Sequence, residues 1–381
     1  MKNRFLEKYF SVEFFYVLFL LSDLIKIYLN YLVLIEINFT LLISIIIFVI
    51  FLLKLINKKF IIYLDGDIKI SIILLVIFYF YVILSLILSS SQYYSSIKFI
   101  SFSSAVFAFV FPLIFNKFQL DRFFYFFFRI SLIITFLYLI NFLFTKEKLI
   151  EGQYLIIGFL SGLNFLLYFF IYKNQTINLI YYFFILLLSA ARGPFISLFF
   201  ILFFYYIKKP IKLLTNIRLI FYLSIFLLSI FFYHETLLLI FQKTIGRFSQ
   251  LSPDLLFESS SVVARIEHYY FLLKNILEKP IFGWGFGTYG LHFTGIDQRS
   301  SPHNIFLEIY FELGVLGLYL YLLFIIFCYY KTFKSKKYLL YILFYLLLCL
   351  QFSFSLADLR LNYGFIAITL LISRDKYFRN K

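Results

Sequence analysis

The sequence predicts an all-α, polytopic integral membrane protein with about 12 transmembrane helices and a long extracytoplasmic loop between helices 9 and 10. Of its 381 residues, 63% are hydrophobic and 14% are charged. The mean hydropathy is +0.94, whereas soluble proteins need about 25% charged residues to cover their surface. With only two cysteines, the chain is not a disulfide scaffold. Cys328 and Cys349 both lie in apolar runs, and we expect them to be buried core residues.

Apolar stretches that approach the length of a membrane span recur along the chain. The predicted spans are 10–30, 37–56, 70–88, 97–115, 123–144, 153–172, 177–190, 194–207, 217–233, 304–327, 338–356 and 361–373. Glu13 and Asp23 interrupt the first of them. The predicted organisation is therefore 1–233 for helices 1–9, 234–303 for the extracytoplasmic loop, and 304–381 for helices 10–12 with a cytoplasmic tail.

The distribution of basic residues predicts how these helices are oriented. If the N-terminus is in the cytoplasm, the cytoplasmic segments hold 22 Lys and Arg residues and the short outer connections hold 6. Both termini are therefore predicted to be cytoplasmic. The formal net charge of +16 follows from this distribution and favours the lipid bilayer as a partner. Nucleic acid is excluded because the basic residues are spread over seven loops and form no single basic face.

The long connection, residues 234–303, contains no clear span and has as many acidic as basic residues. All four histidines lie in it, at His234, His268, His292 and His303. Because loops of this length in compact proteins are usually functional, we expect the chemistry here. Of the four histidines, His303 is the predicted functional one, and the others are predicted to be surface residues.

Two motifs stand out in this loop. Apolar residues at helical spacing (Val262, Ile266, Tyr269, Leu273, Ile276 and Leu277) predict a helix that carries Arg265 and is capped by Ser260 or Ser261. Farther on, glycines 285, 287 and 290 spell G-x-G-x-x-G, but no βαβ unit surrounds them, so a dinucleotide site is excluded. The glycines predict a tight return to the membrane, or a bare backbone that a bulky substrate can approach.

At the end of the loop, Pro302 precedes the tenth span and places His303 at the N-terminal end of that helix. Such a position is receptive to anions because the free N–H groups and the helix dipole are positive there. Glu308 and Glu312 are four residues apart and share one face of the helix. Carboxylates at membrane depth point to a partner, which is either substrate or an intramembrane base such as Arg129.

These residues resemble the signature of the O-antigen polymerase and ligase superfamily. The resemblance rests on Pro280-Ile-Phe-Gly283-Trp-Gly285, His303-Asn304-x-x-Leu307-Glu308 and Glu312-x-Gly314-x-x-Gly317-Leu318, together with the short arginine motif Ala191-Arg192-Gly193-Pro194. The loop arginine of such proteins is often followed four residues later by Trp. Here Arg265 is followed by Tyr269.

The resemblance implies a metal-independent membrane glycosyltransferase of the GT-C type that needs no cofactor. Undecaprenyl-diphosphate-linked oligosaccharide would be both donor and acceptor. Guanidinium groups can bind a departing diphosphate bidentately, and an imidazole can deprotonate or align the acceptor hydroxyl. The implied catalytic residues are His303, Arg265 and Arg192. The implied substrate-binding residues are Arg247, Arg299, Tyr269, Gly285, Gly287, Tyr289, Asn304, Glu308 and Glu312.

Three functions remain open at this point. A polymerase of repeat units is favoured, and a chain-length regulator and a flippase of the same pathway are then expected partners. An O-antigen ligase, or an O-oligosaccharyltransferase, shares the donor half of the site. A lipid-linked glycan flippase is the third, although the sequence has no inverted repeat. Asp65-Gly66-Asp67 imitates a metal-binding D-x-D motif, but Asp-Gly is a common turn, and no metal site is expected.

Overall fold

The computed structural model describes residues 11–33, 39–56, 65–115, 118–145, 153–172, 175–207, 260–352 and 354–374. Every regular element among these residues is a helix, as the all-α prediction requires. The α-helices are α1 (Val12–Leu20), α2 (Ser22–Val33), α3 (Phe39–Ile56), α4 (Gly66–Ile87), α5 (Tyr94–Ile114), α6 (Leu120–Thr145), α7 (Gln153–Phe170), α8 (Thr176–Ser189), α9 (Arg192–Ile207), α10 (Ser260–Asn275), α11 (Tyr289–Thr294), α12 (Ile305–Ser335), α13 (Lys337–Leu350) and α14 (Arg360–Arg374). A 3-10 helix, Leu356–Asp358, precedes α14.

Four described helices are long and apolar enough to cross a membrane, and they are α4, α5, α12 and the segment Leu120–Leu143 of α6. Shorter apolar helices lie in α3, α7, α8, α9 and α13. The chain is an integral membrane protein. The count of twelve spans stays a prediction, and the predicted span 217–233 lies outside the described residues.

The first predicted span, 10–30, is two helices rather than one. The Ser11 hydroxyl oxygen accepts a hydrogen bond of 3.2 Å from the N–H of Phe14 and so caps α1. That helix stops at Leu20. The two acids that interrupt the predicted span both have partners. The N–H of Gln119 donates to Glu13 at 2.9 Å, and Asp23 forms an ion pair with Arg360.

The described helices form two compact units. Unit 1 comprises residues 1–134, 268–343 and 354–381, and unit 2 comprises residues 135–267 and 344–353. Within unit 1, α5 packs against α14 and α4 packs against α12. The rings of Phe102 and Tyr363 join the first pair with centroids 6.3 Å apart. Those of Phe78 and Tyr321 join the second pair at 5.6 Å.

Unit 2 has its own core, in which α7 packs against α8. The ring of Tyr345 stacks on Phe159 at 6.0 Å, and its hydroxyl donates to the carbonyl of Phe159 at 3.1 Å. Helix α8 ends at Ser189, and its C-cap residue Ala190 has a left-handed backbone with φ +49°. Cys328 of unit 1 and Cys349 of unit 2 are free and buried, which confirms the prediction that both are core residues.

Helix α12 is interrupted at Gly314, where φ is +67° and ψ is −172°. Only glycine adopts such a backbone without a steric penalty. A break in a helix of membrane length frees backbone groups that must find partners inside the protein. The hydroxyl of Tyr81 supplies one, since it donates to the carbonyl of Leu313 at 2.8 Å.

Candidate functional site

Further backbone groups around the break in α12 form hydrogen bonds with the loop. Four backbone hydrogen bonds of 2.8 to 3.4 Å join the two segments: Val315 N–H to Pro280 C=O, Leu316 N–H to Ile281 C=O, Trp284 N–H to Phe311 C=O, and Gly285 N–H to Glu312 C=O. We call this arrangement of residues 280–285 and 311–316 the clasp. The motif around Gly283 and the motif around Gly314 are therefore two sides of one structure.

A buried cluster of charged side chains lies next to the clasp. The Lys98 ammonium is 2.6 Å from Glu308 and 2.7 Å from Glu312. All three side chains are at most 1% exposed. The basic partner of Glu308 and Glu312 is therefore Lys98. The prediction of Arg129 as this partner is wrong. Arg129 is exposed, and its guanidinium lies 4.6 Å from the ring centroid of Tyr125.

Backbone donors supplement this cluster, which has two carboxylates for one ammonium. Glu312 accepts hydrogen bonds from the N–H groups of Gly287 at 2.9 Å and Tyr289 at 3.4 Å. Glu308 accepts one from the N–H of Leu356 at 3.1 Å. Hydrogen bonds to a carboxylate stabilise its charge where water is absent. All four carboxylate oxygens are occupied, so this geometry supports the alternative of a structural ion cluster.

Gly285 and Gly287 are among the residues predicted to bind substrate. In the structure, another segment of the protein lies against both glycines. A Cβ at Gly285 would lie 2.5 Å from the Cα of Ser89, and one at Gly287 would lie 2.6 Å from the Cα of Ser95. Both glycines have positive φ, +102° and +81°. The space beside these Cα atoms is filled by the chain itself, which favours the interpretation as a tight return.

His303 occupies a strained position at the start of α12. Its φ is +55°, and Ala190 is the one other non-glycine residue with positive φ in the described part of the chain. Strain of this kind is concentrated at functional sites. The next residue, Asn304, caps α12 by accepting the N–H groups of Phe306 and Leu307 at 3.1 Å each. Asn304 is predicted to bind substrate, and its side-chain oxygen is engaged in this cap.

His268 is part of the same site, and the prediction that it is a surface residue is wrong. It is 8% exposed, and its Nδ1 lies 2.5 Å from the hydroxyl oxygen of Tyr289. Its ring is perpendicular to that of His303, with centroids 5.9 Å apart. The apolar spacing in the sequence predicts that another face of α10 is buried. In the structure Leu273 is 71% exposed, whereas Leu272 is 1% exposed.

The face of α10 that is buried can be recognised in the sequence by the i, i+4, i+8 series His268, Leu272 and Ile276. All three residues are buried. The helix itself is confirmed, and Ser260 and Ser261 lie within it rather than before it.

Tyr289 lies at the centre of an aromatic cluster. It forms a buried core with Leu272 and Phe311, and Tyr269 and Trp284 pack against this core. Burial raises the pKa of the Tyr289 hydroxyl, so this group stays neutral at physiological pH. Of the residues predicted to bind substrate, Tyr289 and Tyr269 are thus brought together.

His292 lies at the edge of this cluster, with its ring 4.4 Å from that of Trp284. Burial and the neighbouring charge of Lys279 lower the pKa of His292, which favours its neutral form.

Arg299, a predicted diphosphate ligand, is paired with a carboxylate. Its Nη2 donates to both oxygens of Asp358 at 2.9 Å, and the charge of Asp358 raises the pKa of Arg299. The Arg299 side chain is 64% exposed. Exposed ion pairs are worth about 0–1 kcal/mol, so a diphosphate could replace Asp358 at small cost.

Asp297 closes the loop onto α5. Its carboxylate accepts hydrogen bonds from the Ser91 hydroxyl at 2.6 Å and from the N–H groups of residues 92, 93 and 94 at 2.9 to 3.3 Å. Partial burial acts to raise the pKa of Asp297, but these bonds outweigh it and hold the pKa below its ordinary value. The loop end is therefore anchored beside Tyr94, the first residue of α5.

The remaining predicted residues lie elsewhere in the chain. Arg192 and Arg265 belong to unit 2, whereas His303 belongs to unit 1. Arg192 is half-buried and is the first residue of α9. The Nη2 of Arg265 donates to the carbonyl of Phe352 at 3.2 Å. Arg247 lies outside the described residues. Within the described ranges, no group of three or more His, Cys, Asp or Glu side chains could hold a metal ion.

Comparison with protein families gives one match. Residues 177–322 match a family model described as O-antigen ligase. This match supports the O-antigen ligase and polymerase superfamily for the matched part of the chain. The matched segment contains Arg192, Arg265, His303 and both sides of the clasp. The resemblance seen in the sequence is thereby confirmed for the superfamily, while polymerase and ligase are not distinguished.

Comparison of the chain with curated proteins and with solved structures gave no match. The family supports a function of the O-antigen ligase or polymerase type.

Proposed function

We propose that this protein is a polymerase that joins undecaprenyl-diphosphate-linked oligosaccharide repeat units on the outer side of the cytoplasmic membrane. The observation that carries the proposal is the family match across residues 177–322, because the matched segment holds the strained His303 at the start of α12. Both termini are proposed to be cytoplasmic, in agreement with the excess of basic residues in those segments.

The proposed reaction is a single displacement at the anomeric carbon of the donor. His303 accepts the proton of the acceptor hydroxyl, and the oxygen attacks the anomeric carbon. The bond from that carbon to the diphosphate oxygen breaks, and the diphosphate leaves with the electron pair. Inversion of the anomeric centre follows from a single displacement.

Arginines are proposed to stabilise the departing diphosphate. Arg265 and Arg192 are the first candidates, with Arg247 and Arg299 as additional ligands. A guanidinium presents parallel N–H groups that match two phosphate oxygens, and preorganised charge stabilises a leaving group best where water is scarce. Arg299 already holds a carboxylate through its Nη2, which donates to both oxygens of Asp358, and this supports its capacity to bind an oxyanion.

A ligase is the second candidate, favoured by the description of the matching family as O-antigen ligase. A ligase would use the same donor and transfer the finished glycan to lipid A-core, or to protein hydroxyls in the case of an O-oligosaccharyltransferase. A flippase and a chain-length regulator of the same pathway are proposed as partners of the polymerase.

Deletion of the gene, followed by gel analysis of the surface glycolipid, separates these functions. For a polymerase we expect single repeat units on the surface lipid, with polymer restored by the wild-type gene and not by His303→Ala. For a ligase, surface glycan is absent and carrier-linked polymer accumulates. Polymer of normal length in the deletion strain would contradict both proposals.

A further inference from the structure

Two neighbours fix the ring of His268. Its Nδ1 is within hydrogen-bond distance of the Tyr289 hydroxyl, at 2.5 Å, and its ring stacks on Phe293 with centroids 4.2 Å apart. A buried imidazole with these contacts has one orientation. That orientation places it edge to face with His303, at an interplanar angle of 88°.

Tyr289 in turn is fixed by the protein around it. It is 0% exposed, its ring contacts Phe271 and Phe311 with centroids 6.1 and 5.5 Å away, and its N–H points to Glu312. Since burial keeps the Tyr289 hydroxyl neutral, it can donate its hydrogen to Nδ1 of His268. The remaining proton of His268 then resides on Nε2, because a hydrogen bond at one ring nitrogen sets the tautomer.

The backbone of His303 is fixed as well, between Pro302 and the capping residue Asn304. A left-handed backbone at a non-glycine residue costs on the order of 1–3 kcal/mol and persists only where its surroundings enforce it. The backbone therefore constrains where the His303 side chain begins, and the His303 ring lies next to that of His268.

We propose that His268, held by Tyr289, is a positioning residue that orients His303 while His303 takes up the proton of the acceptor hydroxyl. This inference rests on the proposed function. Two adjacent imidazoles do not both accept protons readily, because like charges repel.

Charged and titratable groups lie near Tyr289, which holds His268. Tyr289 is electrostatically coupled to Glu308, Glu312 and Tyr269. The two glutamates are held by Lys98, and Tyr269 packs against the same aromatic cluster.

The test compares Tyr289→Phe, which removes one hydroxyl and keeps the ring, with Tyr270→Phe as a matched control. Tyr270 lies on α10 and is 72% exposed. The purified variants in nanodiscs are given lipid-linked oligosaccharide extracted from the deletion strain. We expect Tyr289→Phe to lower kcat by about 10–100-fold, as is typical when a group that orients a functional residue is lost. KM should stay within about twofold of the wild-type value, because Tyr289 is 0% exposed and engaged by His268, which argues against its predicted contact with substrate.

The pH dependence distinguishes positioning from a purely structural role. If Tyr289 positions the two imidazoles, the kcat profile of Tyr289→Phe should change in shape with pH as well as in height. His268→Asn, which keeps an oxygen acceptor for the Tyr289 hydroxyl, should retain more activity than His268→Phe. Wild-type kcat and pH profile in Tyr289→Phe would overturn the proposal, as would a uniform loss at all pH values that follows the melting temperature.

A measurement without substrate separates this inference from the proposed function. Nitrogen-15 spectra of labelled histidines should show the Nε2–H tautomer at His268 in the wild type and its loss in Tyr289→Phe, with a changed signal for His303. If these signals change while the wild-type protein transfers no glycan, the proposed function fails and the coupling stands. If they do not change, the coupling fails whatever the activity.

Discussion

Gly283 and Gly314 are in direct backbone contact, although 31 residues separate them in sequence. A Cβ at Gly283 would lie 2.6 Å from the N atom of Gly314, and a Cβ at Gly314 would lie 2.7 Å from the N atom of Gly283. Both have positive φ, +71° and +67°. The loop and the interrupted helix therefore meet where neither can carry a side chain.

Gly314→Ala should prevent the clasp from closing. A Cβ there would lie 2.1 Å from the carbonyl oxygen of Ile281, which is backbone and cannot move aside. Gly295→Ala is the matched control, because Gly295 has a similar φ of +75° and open space around it. We expect the control to cost about 1–2 kcal/mol and Gly314→Ala to cost more, as measured by thermal unfolding in detergent. Equal melting temperatures would contradict the contact.

Lys98→Met should destabilise the protein by about 3–5 kcal/mol, because it leaves buried carboxylates without their ammonium. The control is Lys331→Met, since Lys331 forms an ion pair of 2.6 Å with a partly exposed Asp67. That change should cost about 0–1 kcal/mol. Adding Glu308→Gln and Glu312→Gln to Lys98→Met should recover part of the loss. Unfolding midpoints that are the same for the two lysine variants would argue against the buried cluster.

Asp297→Asn should weaken the protein at neutral pH and not at strongly acidic pH. The pKa of Asp297 is lower in the folded protein than in the unfolded chain. Its contribution is therefore fully present above the ordinary aspartate value of about 3.9 and is lost as pH falls through the folded value. The difference in melting temperature between the wild type and the variant, measured from pH 7 downward, should shrink below about pH 4. A difference independent of pH would contradict this role.

His303→Gly and His303→Ala should both abolish transfer but should differ in stability. Each removes the imidazole, and only glycine adopts the φ of +55° without strain. We expect His303→Gly to be more stable than His303→Ala by about 1–2 kcal/mol. Transfer by either variant at the wild-type rate would remove His303 from the proposed mechanism.

Arg265→Lys should abolish most transfer while the protein still inserts into the membrane, because lysine keeps the charge and loses the planar fork. Arg122→Lys serves as the control, since Arg122 is exposed in the first turn of α6 and is predicted to be cytoplasmic. Glycan transfer and the amount of folded protein are measured together. Wild-type transfer by Arg265→Lys would exclude the bidentate role.

The sequence predicts those features that depend on local composition. Apolar runs are enough to find α4 and α5, since the predicted spans 70–88 and 97–115 differ from the helices by a few residues at their N-terminal ends. Polar residues such as Asp67 in α4 extend a helix beyond its apolar part. The superfamily follows from the spacing of glycines, His303 and Glu308, because those residues are close together in the chain.

Features that depend on distant contacts are not predictable in the same way. Lys98 is 210 residues from Glu308, and its one sequence signal is a lone base at the start of an apolar run. The sequence does not predict the burial of His268 because α10 buries a mixed face, whereas its more apolar face is exposed at Ile266 and Leu273. In a membrane protein, apolarity alone does not separate a protein-facing side from a lipid-facing side.

The clasp has a consequence for the construction of chimaeras. A graft that exchanged only the glycine-rich turn, or only the helix that receives it, would pair mismatched halves of one hydrogen-bonded seam. Residues 280–318 should therefore be transplanted as one cassette, together with the lysine at position 98 that the two glutamates of that cassette require. Altered sugar selectivity is then best sought in residues that border this cassette, where exchange leaves the seam intact.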